Sequence, residues 1–223
     1  MDTLKETLLS FTGLFEYAYG ANPETGEVGV LLNITYTPGE RIARAYLTGN
    51  TYGLSAEETK ALSEAKKLIG SKEFVSASIE DKERRIHDYI CEKTTYYRGD
   101  DSAAVARHET ALGIMLDGRG NCMAYTDAFL MLCKMAGFRV YAVGGTAFGG
   151  SEWEEHAWNI IKVDGEWVYA DVTYDDAVGE GVSRSYEYYN VTAEKLSENH
   201  VWDMELTDKL ITLWENIDDS VNN

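Results

Sequence analysis

The sequence predicts an α+β fold in which a central helix packs on an antiparallel sheet. Two observations support this prediction. Segments with the apolar periodicity of helices dominate before residue 137, and three strand-like segments follow one another after it. The last two of these are separated by only two residues, so they are expected to form an antiparallel meander.

The composition is that of a globular chain with one compact domain and an extension. The chain has 223 residues, of which 44% are hydrophobic and 26% are charged. The segment pattern predicts an N-terminal extension at 1–75, a core at 76–204 and a C-terminal helix at 205–223. The oligomeric state is left open by these patterns.

The charge balance disfavours several classes of partner. Asp and Glu number 38 against 20 Lys and Arg, which gives a net charge of -18. Such a chain repels nucleic acid and anionic membrane surfaces. No apolar run approaches the roughly 20 residues of a membrane helix. Charged residues interrupt the first 20 positions, so we expect no signal peptide. The location is cytoplasmic by default, and secreted or cell-surface if the chain is a mature segment.

A strand hairpin is predicted near the N-terminus. Residues 28–35 are rich in β-branched residues and leucine. Residues 37–40 (Thr-Pro-Gly-Glu) have the composition of a turn, and 41–47 is the expected partner strand.

Two helices are predicted after this hairpin. Residues 55–69 form the first, where Ser55 and Glu58 match a capping box. Residues 79–94 form the second. Its inward face is expected to consist of Ile79, Ile86 and Ile90.

A short helix and a long helix are predicted in the middle of the chain. Residues 110–116 form the short helix, which ends before Gly118. Residues 122–136 have the clearest helical periodicity, and Gly137 is the expected stop.

The strand meander follows the long helix. Its segments are 138–144, 156–163 and 166–172, and Asp164-Gly165 is a two-residue turn between the last two. Residues 186–190 are a further short strand candidate. A closing amphipathic helix is indicated by Leu206, Leu210, Leu213, Trp214 and Ile217.

A cysteine stands at the start of the long helix. The unpaired N–H groups and the dipole at a helix N-terminus stabilise a thiolate, so Cys122 is a candidate nucleophile. Gly118 and Gly120 permit a sharp turn before it. Cys91 and Cys133 are expected to pack in the core, and three cysteines argue against a disulfide framework.

A base and an orienting carboxylate are predicted on the hairpin. A two-residue loop at Asp164-Gly165 pairs residues whose numbers sum to 329, so His156 faces about 173 and Asp171 is diagonal to it. The two side chains are then expected on one side of the sheet. With Cys122 they match a Cys-His-Asp triad.

The residues that carry this pattern resemble the transglutaminase-like superfamily, in the branch of bacterial proteins often described as cysteine proteases. The motifs are Gly118-Arg119-Gly120-Asn121-Cys122, His156-Ala157-Trp158-Asn159 and Asp171-Val172-Thr173-Tyr174-Asp175-Asp176. The resemblance extends over roughly 79–204.

The resemblance implies a papain-like core in which Cys122 is the nucleophile, His156 the base and Asp171 the orienter. It implies acyl transfer through a thioester on peptide or protein substrates, as hydrolysis, deamidation or crosslinking, with no cofactor and no metal. Animal transglutaminases use a tryptophan upstream of the cysteine as an oxyanion donor. All five tryptophans here lie downstream. Tyr96 or Tyr97 is therefore the expected second donor, beside the Cys122 N–H.

The loop at 146–155 is a candidate lip of a substrate groove. Trp153 and Trp158 are the aromatic candidates for substrate contacts. The loop carries three acidic residues, Glu152, Glu154 and Glu155. They either select basic substrates or serve only solubility.

Alternatives remain open for function and for the other polar residues. Hydrolase and acyltransferase share one thioester, and a catalytically silent binding or scaffolding module is the alternative to both. His87 and Cys91 are four apart, but without a second ligand pair a structural His87 is preferred to a metal site.

Further polar residues are expected to be exposed. His108 and His200 are predicted at the surface. The segment with Asp175 and Asp176 is predicted to be a solvated acidic loop.

Overall fold

The N-terminal strands form a hairpin of their own. The computed structural model describes residues 15–99, 102–176 and 185–221. Strand β1 (Phe15–Ala21) pairs antiparallel with β2 (Val28–Ile34). The predicted strand at 28–35 is thus confirmed, but its partner precedes it in the chain.

The predicted strand at 41–47 is wrong, because this segment is helix α1 (Pro38–Thr48). The Thr37 side chain accepts the Glu40 N–H as an N-cap, and Pro38 occupies the first helical turn. The residues that have the composition of a turn therefore begin a helix. Ile42 and Ala43 are fully buried.

Three helices follow: α2 (Ala56–Ile69), α3 (Lys72–Val75) and α4 (Ile79–Lys93). The capping box at the start of α2 is confirmed, since the side chains of Ser55 and Glu58 each accept the other residue's backbone N–H. On α4, Ile86 and Ile90 are fully buried as predicted. Ile79 is 45% exposed because it is the first residue of the helix and lies beyond the core.

The chain then approaches the central helix through short elements. They are β3 (Thr95–Tyr96), α5 (Ser102–His108), a π-helical turn (Gly113–Asp117) and β4 (Arg119–Gly120), which pairs in parallel with β3. The π turn takes the place of the helix predicted at 110–116. It ends at Gly118, whose φ of 66° is left-handed and whose added Cβ would meet the Lys93 carbonyl oxygen at 2.8 Å.

Helix α6 (Cys122–Met135) is the central element, buried without interruption from Ala124 to Cys133. The helix predicted at 122–136 is confirmed. Cys133 is fully buried and Cys91 is 7% exposed, so both cysteines pack in the core as expected.

A four-stranded antiparallel sheet packs against α6. Its strands are β5 (Val140–Phe148), β6 (Trp153–Val163), β7 (Glu166–Ala170) and β8 (His200–Val201), in the order β7-β6-β5-β8. Strands β5 and β6 extend further than predicted, so the lip predicted at 146–155 is reduced to residues 149–152.

The predicted register of the β6–β7 hairpin is confirmed. Asn159 lies opposite Ala170 and Val163 opposite Glu166, and each pair sums to 329. Asp164 and Gly165 both have positive φ, 51° and 90°, as a two-residue hairpin turn of this hand requires.

The remaining elements are helices α7 (Val172–Asp175), α8 (Ala193–Leu196) and α9 (Met204–Val221). Helix α9 is the predicted closing helix. The strand predicted at 186–190 is wrong: the segment forms turns, and Asn190 has a positive φ of 54° that interrupts an extended chain.

Two apolar clusters lie on the two faces of the sheet. The larger joins α1, α2, α4 and α6 to residues such as Ile161. The smaller contains Trp158 and Ile160 from the opposite face of β6, with Leu196 and Trp202. The domain boundaries at 75 and 205 stay a prediction. Within the described ranges no helix has the length and apolar content to cross a bilayer.

One buried carboxylate ties α1 to the core. Asp127 on α6 accepts hydrogen bonds from the Thr37 hydroxyl (2.5 Å), the Gly39 N–H (3.0 Å) and the Ala111 N–H (2.8 Å). Burial raises the pKa of Asp127, while these hydrogen bonds lower it. A Cβ on Gly39 would lie 2.4 Å from Asp127 Oδ1, so only glycine permits the approach.

We predict that Asp127→Ala lowers the free energy of unfolding by about 3 kcal/mol or more, because two buried N–H groups lose their acceptor. Thr37→Val is the comparison variant, since it removes one of the three bonds to Asp127 together with the N-cap bond to the Glu40 N–H, and should cost about 1–2 kcal/mol. Urea unfolding monitored by circular dichroism measures both. Equal costs would show that Asp127 does not hold α1 through the backbone.

Candidate active site

The residue before Cys122, and not Cys122 itself, caps helix α6. Asn121 is the N-cap, and its Oδ1 accepts the N–H groups of Met123 (3.1 Å) and Ala124 (3.4 Å). Gly120 permits a close approach, because a Cβ there would lie 2.5 Å from the Ala124 Cβ. Cys122 is thus the first helical residue, and it is half-buried.

The hairpin brings the histidine and the aspartate together. His156 lies on β6, and Asp171 follows β7 directly as the N-cap of α7. His156 Nε2 lies 2.7 Å from Asp171 Oδ2. Asp171 Oδ1 accepts the N–H groups of Thr173 (3.0 Å) and Tyr174 (3.1 Å). The helix end therefore fixes one carboxylate oxygen, and the other is left for imidazole.

Cys122 lies close enough to this pair to contribute to the raised pKa of His156. Since Nε2 faces the carboxylate, Nδ1 is the ring nitrogen that remains for the thiol. The structure therefore places Cys122 beside the hydrogen-bonded pair of His156 and Asp171.

The electrostatics of the pair favour a charged imidazolium beside a carboxylate. Burial lowers the pKa of His156, but Asp171 and Cys122 outweigh it and raise that pKa to about 10. Burial raises the pKa of Asp171, but His156 and His200 hold it well below its usual range.

A second histidine contacts the same carboxylate, and sequence reasoning missed it. His200, predicted at the surface, is 1% exposed, and its Nε2 lies 3.0 Å from Asp171 Oδ2. Strand β8 pairs with β5, and this pairing places the His200 ring against Trp158. The alternation of His200 with Trp202, which places both on one strand face, was the available signal. His108, also predicted at the surface, is 9% exposed beneath Tyr97.

The four remaining candidate residues occupy different places. Tyr96 lies beside Cys122, and its pKa is raised mainly by burial, with the nearby Cys122 backbone acting to lower it. Tyr97 instead packs on the ring of His108, at 4.3 Å between centroids. Trp153 is 51% exposed and contacts Phe148, whereas Trp158 is 1% exposed behind the two histidines. Trp158 therefore supports the histidines and does not reach a substrate directly.

A groove of about 540 Å³ opens over these residues. It has aromatic walls and carries both signs of charge. Glu154, Glu155 and His156 of β6 line it, and so does Arg98. Aromatic walls are formed by Tyr96, Phe148, Tyr174 and Tyr188.

The prediction that Asp175 and Asp176 lie in a solvated acidic loop is partly wrong. Asp175 is fully buried, and it accepts hydrogen bonds from the Ser185 hydroxyl (2.7 Å) and the Tyr188 N–H (3.0 Å). His87 Nε2 lies 3.2 Å from it, which confirms a hydrogen-bonded structural His87. Asp176 bonds the Tyr125 hydroxyl. These contacts fix the segment around Tyr188, whose side chain lines the groove.

Within the described ranges, one group of three residues has the ligand types of a metal site. Donor atoms of His156, Asp171 and His200 lie within 4.8 Å of one another. Zinc bonds of 2.0–2.2 Å hold tetrahedral ligand atoms about 3.4 Å apart. The separations of 2.7 and 3.0 Å are shorter, so the trio as it stands is a hydrogen-bonded one.

The solved structures that are similar to this chain are longer than it. One described as a TGase is 18% identical, with a TM-score of 0.47, and the match covers 84% of this chain and 52% of that one. A proposed cysteine protease from Cytophaga hutchinsonii is 15% identical, with a TM-score of 0.42, and the match covers 71% of this chain and 62% of that one. Thus the chain spans between about half and three fifths of these proteins' length.

The family comparison covers the part of the chain that contains the site. No curated protein sequence matches. Residues 70–172 match the family model described as the transglutaminase-like superfamily, and this range includes Cys122, His156 and Asp171. The segment 70–172 therefore belongs to the transglutaminase-like superfamily.

Proposed function

We propose that the chain is a thiol-dependent enzyme that transfers the acyl group of a peptide or protein amide to water or to an amine. The observation that carries the proposal is the position of His156, between the Asp171 carboxylate and the Cys122 thiol at the edge of a groove. Nucleophile, base and orienter stand in the order that acyl transfer requires.

The reaction proceeds in two halves. The Cys122 thiol gives its proton to His156, and the thiolate attacks the amide carbonyl, forming a C–S bond while the carbonyl pair moves to oxygen. The imidazolium then protonates the leaving nitrogen as the C–N bond breaks. Water or an amine, deprotonated by His156, attacks the thioester and regenerates the thiol. Asp171 holds the ring and its positive charge throughout.

Tyr96 is the second donor that we propose for the oxyanion. The Tyr96 hydroxyl lies close to the Cys122 backbone. A carbonyl oxygen that enters between them accepts the Cys122 N–H, and the Tyr96 hydroxyl donates its proton to the same oxygen. Tyr97 is held against His108 and does not take this role.

Hydrolysis and acyl transfer to an amine share every step up to the thioester. A silent binding module would keep the groove without a reactive thiol. The reactivity of the Cys122 thiol therefore distinguishes an enzyme from a silent module, and it can be measured without a known substrate.

We predict that iodoacetamide at about pH 6.5 modifies Cys122 much faster than Cys91 or Cys133. An ordinary thiol with a pKa of ~8.5 is only about 1% thiolate there, so an ion pair with His156 should speed the reaction by about tenfold or more. Peptide mapping by mass spectrometry gives the rate at each cysteine. Cys91 and Cys133 are buried and serve as internal references.

His156→Gln is the matched variant for this measurement, because it removes the imidazolium and leaves the thiol exposed. Its Cys122 should react as slowly as an ordinary exposed thiol. The same rate in wild type and His156→Gln would favour the silent module and reject the proposed enzyme.

We predict a pH-dependent stability contribution from His156. Its folded-state pKa of about 10 lies above the ordinary 6.5, so the contribution is full below pH 6.5 and is lost as the pH rises to about 10. The stability contribution of Asp171 depends on pH in the opposite direction. Its pKa is depressed, so its contribution is present above the ordinary 3.8 and is lost as the pH falls below it.

Urea unfolding at about pH 6.5, 8 and 9.5 measures this contribution. The difference in unfolding free energy between wild type and His156→Gln should shrink steadily over the series. Leu62→Val is the control, since its buried aliphatic cost involves no proton and stays constant. A difference that stays constant for His156→Gln would show that the imidazole is not held charged.

We predict that Glu154 favours cationic reagents at Cys122. Glu154 lines the groove two residues before His156, on the same face of β6, while Glu152 is exposed outside the lining residues. An aminoethyl methanethiosulfonate should therefore modify Cys122 faster than the sulfonatoethyl reagent. The ratio should fall as salt shortens the Debye length below ~10 Å.

Glu154→Gln should lower this ratio more than Glu152→Gln, although each removes one charge. Cys122→Ala shows the background of the assay. If the two variants lower the ratio equally, the selectivity comes from the net charge of -18 and not from the groove.

A further inference from the structure

One carboxylate oxygen of the site faces two imidazole rings. Asp171 Oδ2 lies 2.7 Å from His156 Nε2 and 3.0 Å from His200 Nε2. Its other oxygen already accepts two backbone N–H groups, and the side chain is fully buried. Of the two rings, His156 lines the groove and His200 does not.

The His200 ring is itself fixed from its far side. Its Nδ1 lies 2.8 Å from Asn199 Oδ1, and Asn199 Nδ2 donates to the Tyr188 hydroxyl at 2.7 Å. Trp158 meets the ring edge-on at 4.9 Å, and Tyr174 lies at 5.1 Å. Both ring nitrogens are thus engaged, and the ring is enclosed by aromatic neighbours.

Packing alone does not explain an imidazole at this position. An aliphatic side chain would fill a space among aromatic rings without a desolvation cost, whereas a buried imidazole is tolerated only when its nitrogens are bonded. Here the bonds run to the one carboxylate that orients His156. The contact with the Asp171 carboxylate therefore accounts for an imidazole at position 200.

We propose that His200 is a positioning residue that holds the Asp171 carboxylate in the plane where it receives the His156 Nε2–H. The consequence for catalysis rests on the proposed function, whereas the contacts of His200 do not depend on it. Without His200, Oδ2 loses one of its two donors and the carboxylate turns about its side-chain bonds. Its hold on the His156 imidazolium then weakens.

The hydrogen bonds also connect the base to the groove wall. They run from His156 through Asp171, His200 and Asn199 to Tyr188, and both Asn199 and Tyr188 line the groove. A displacement of the wall at Tyr188 therefore reaches the carboxylate through two intervening side chains.

The titratable groups around the base come from several elements. His156 faces Asp171 after β7, Cys122 on α6 and Tyr174 on α7. Glu154 lies on its own strand, and His200 on β8 contributes through the carboxylate.

The test follows the His156 ring directly by NMR on protein with isotope-labelled histidine. The chain has four histidines, and the resonance that disappears in His156→Gln assigns the ring. In His200→Leu, which has similar bulk and no donor, we expect the pKa of His156 to fall by about one unit or more, because its carboxylate partner is no longer held.

Two amides form a matched pair of variants. The Gln amide nitrogen reaches the place of the ring Nε2, whereas the Asn amide nitrogen reaches only that of Nδ1. His200→Gln should therefore restore the His156 titration close to that of wild type, and His200→Asn should not. Leu196→Ala, in the same apolar cluster, controls for lost packing; it should lower the unfolding temperature without moving the titration.

A His156 titration that is unmoved or moves upward in His200→Leu and His200→Asn overturns the proposal. So does an equal shift in Leu196→Ala. If His200→Leu fails to fold, the comparison of His200→Gln with His200→Asn decides. The readout needs no turnover: an unreactive Cys122 with a shifted titration would reject the enzyme and keep the positioning role.

Discussion

The buried charge of Asp171 is the constraint on which the site depends. A fully buried carboxylate is tolerated only when donors surround it, and here four donors do so. They come from β6, from the first turn of α7 and from β8. Three elements must therefore meet at one side chain, and the same contacts orient the His156 ring.

The β6–β7 hairpin makes this meeting possible. Asp164 and Gly165 both adopt positive φ, which fixes a two-residue loop and hence the pairing of Asn159 with Ala170. A slip of one residue would turn every side chain of β7 to the other face of the sheet. The carboxylate would then leave His156, so a local turn preference determines the long-range geometry of the candidate site.

The parts of the site that sequence reasoning predicted are those set by local chemistry. The turn at Asp164-Gly165 and the helix start at Cys122 each depend on neighbouring residues. Helix α1 was missed because the residues from Thr37 suit a turn as well as a helix start, and contacts with Asp127 decide between them. His200 was missed because its partner lies 29 residues earlier and is reached only across the sheet.

Two histidine–carboxylate pairs among the described residues show that geometry, and not the pair itself, decides which histidine can be proposed as a base. His87 lies 3.2 Å from Asp175 through one nitrogen and 3.2 Å from Asp88 through the other, and the ring is completely buried. Neither nitrogen is left for a thiol. His156 gives one nitrogen to Asp171 and keeps the other for Cys122 at the edge of the groove. The same chemical pair therefore anchors a loop at one place and, at the other, lies beside a cysteine at the edge of a groove.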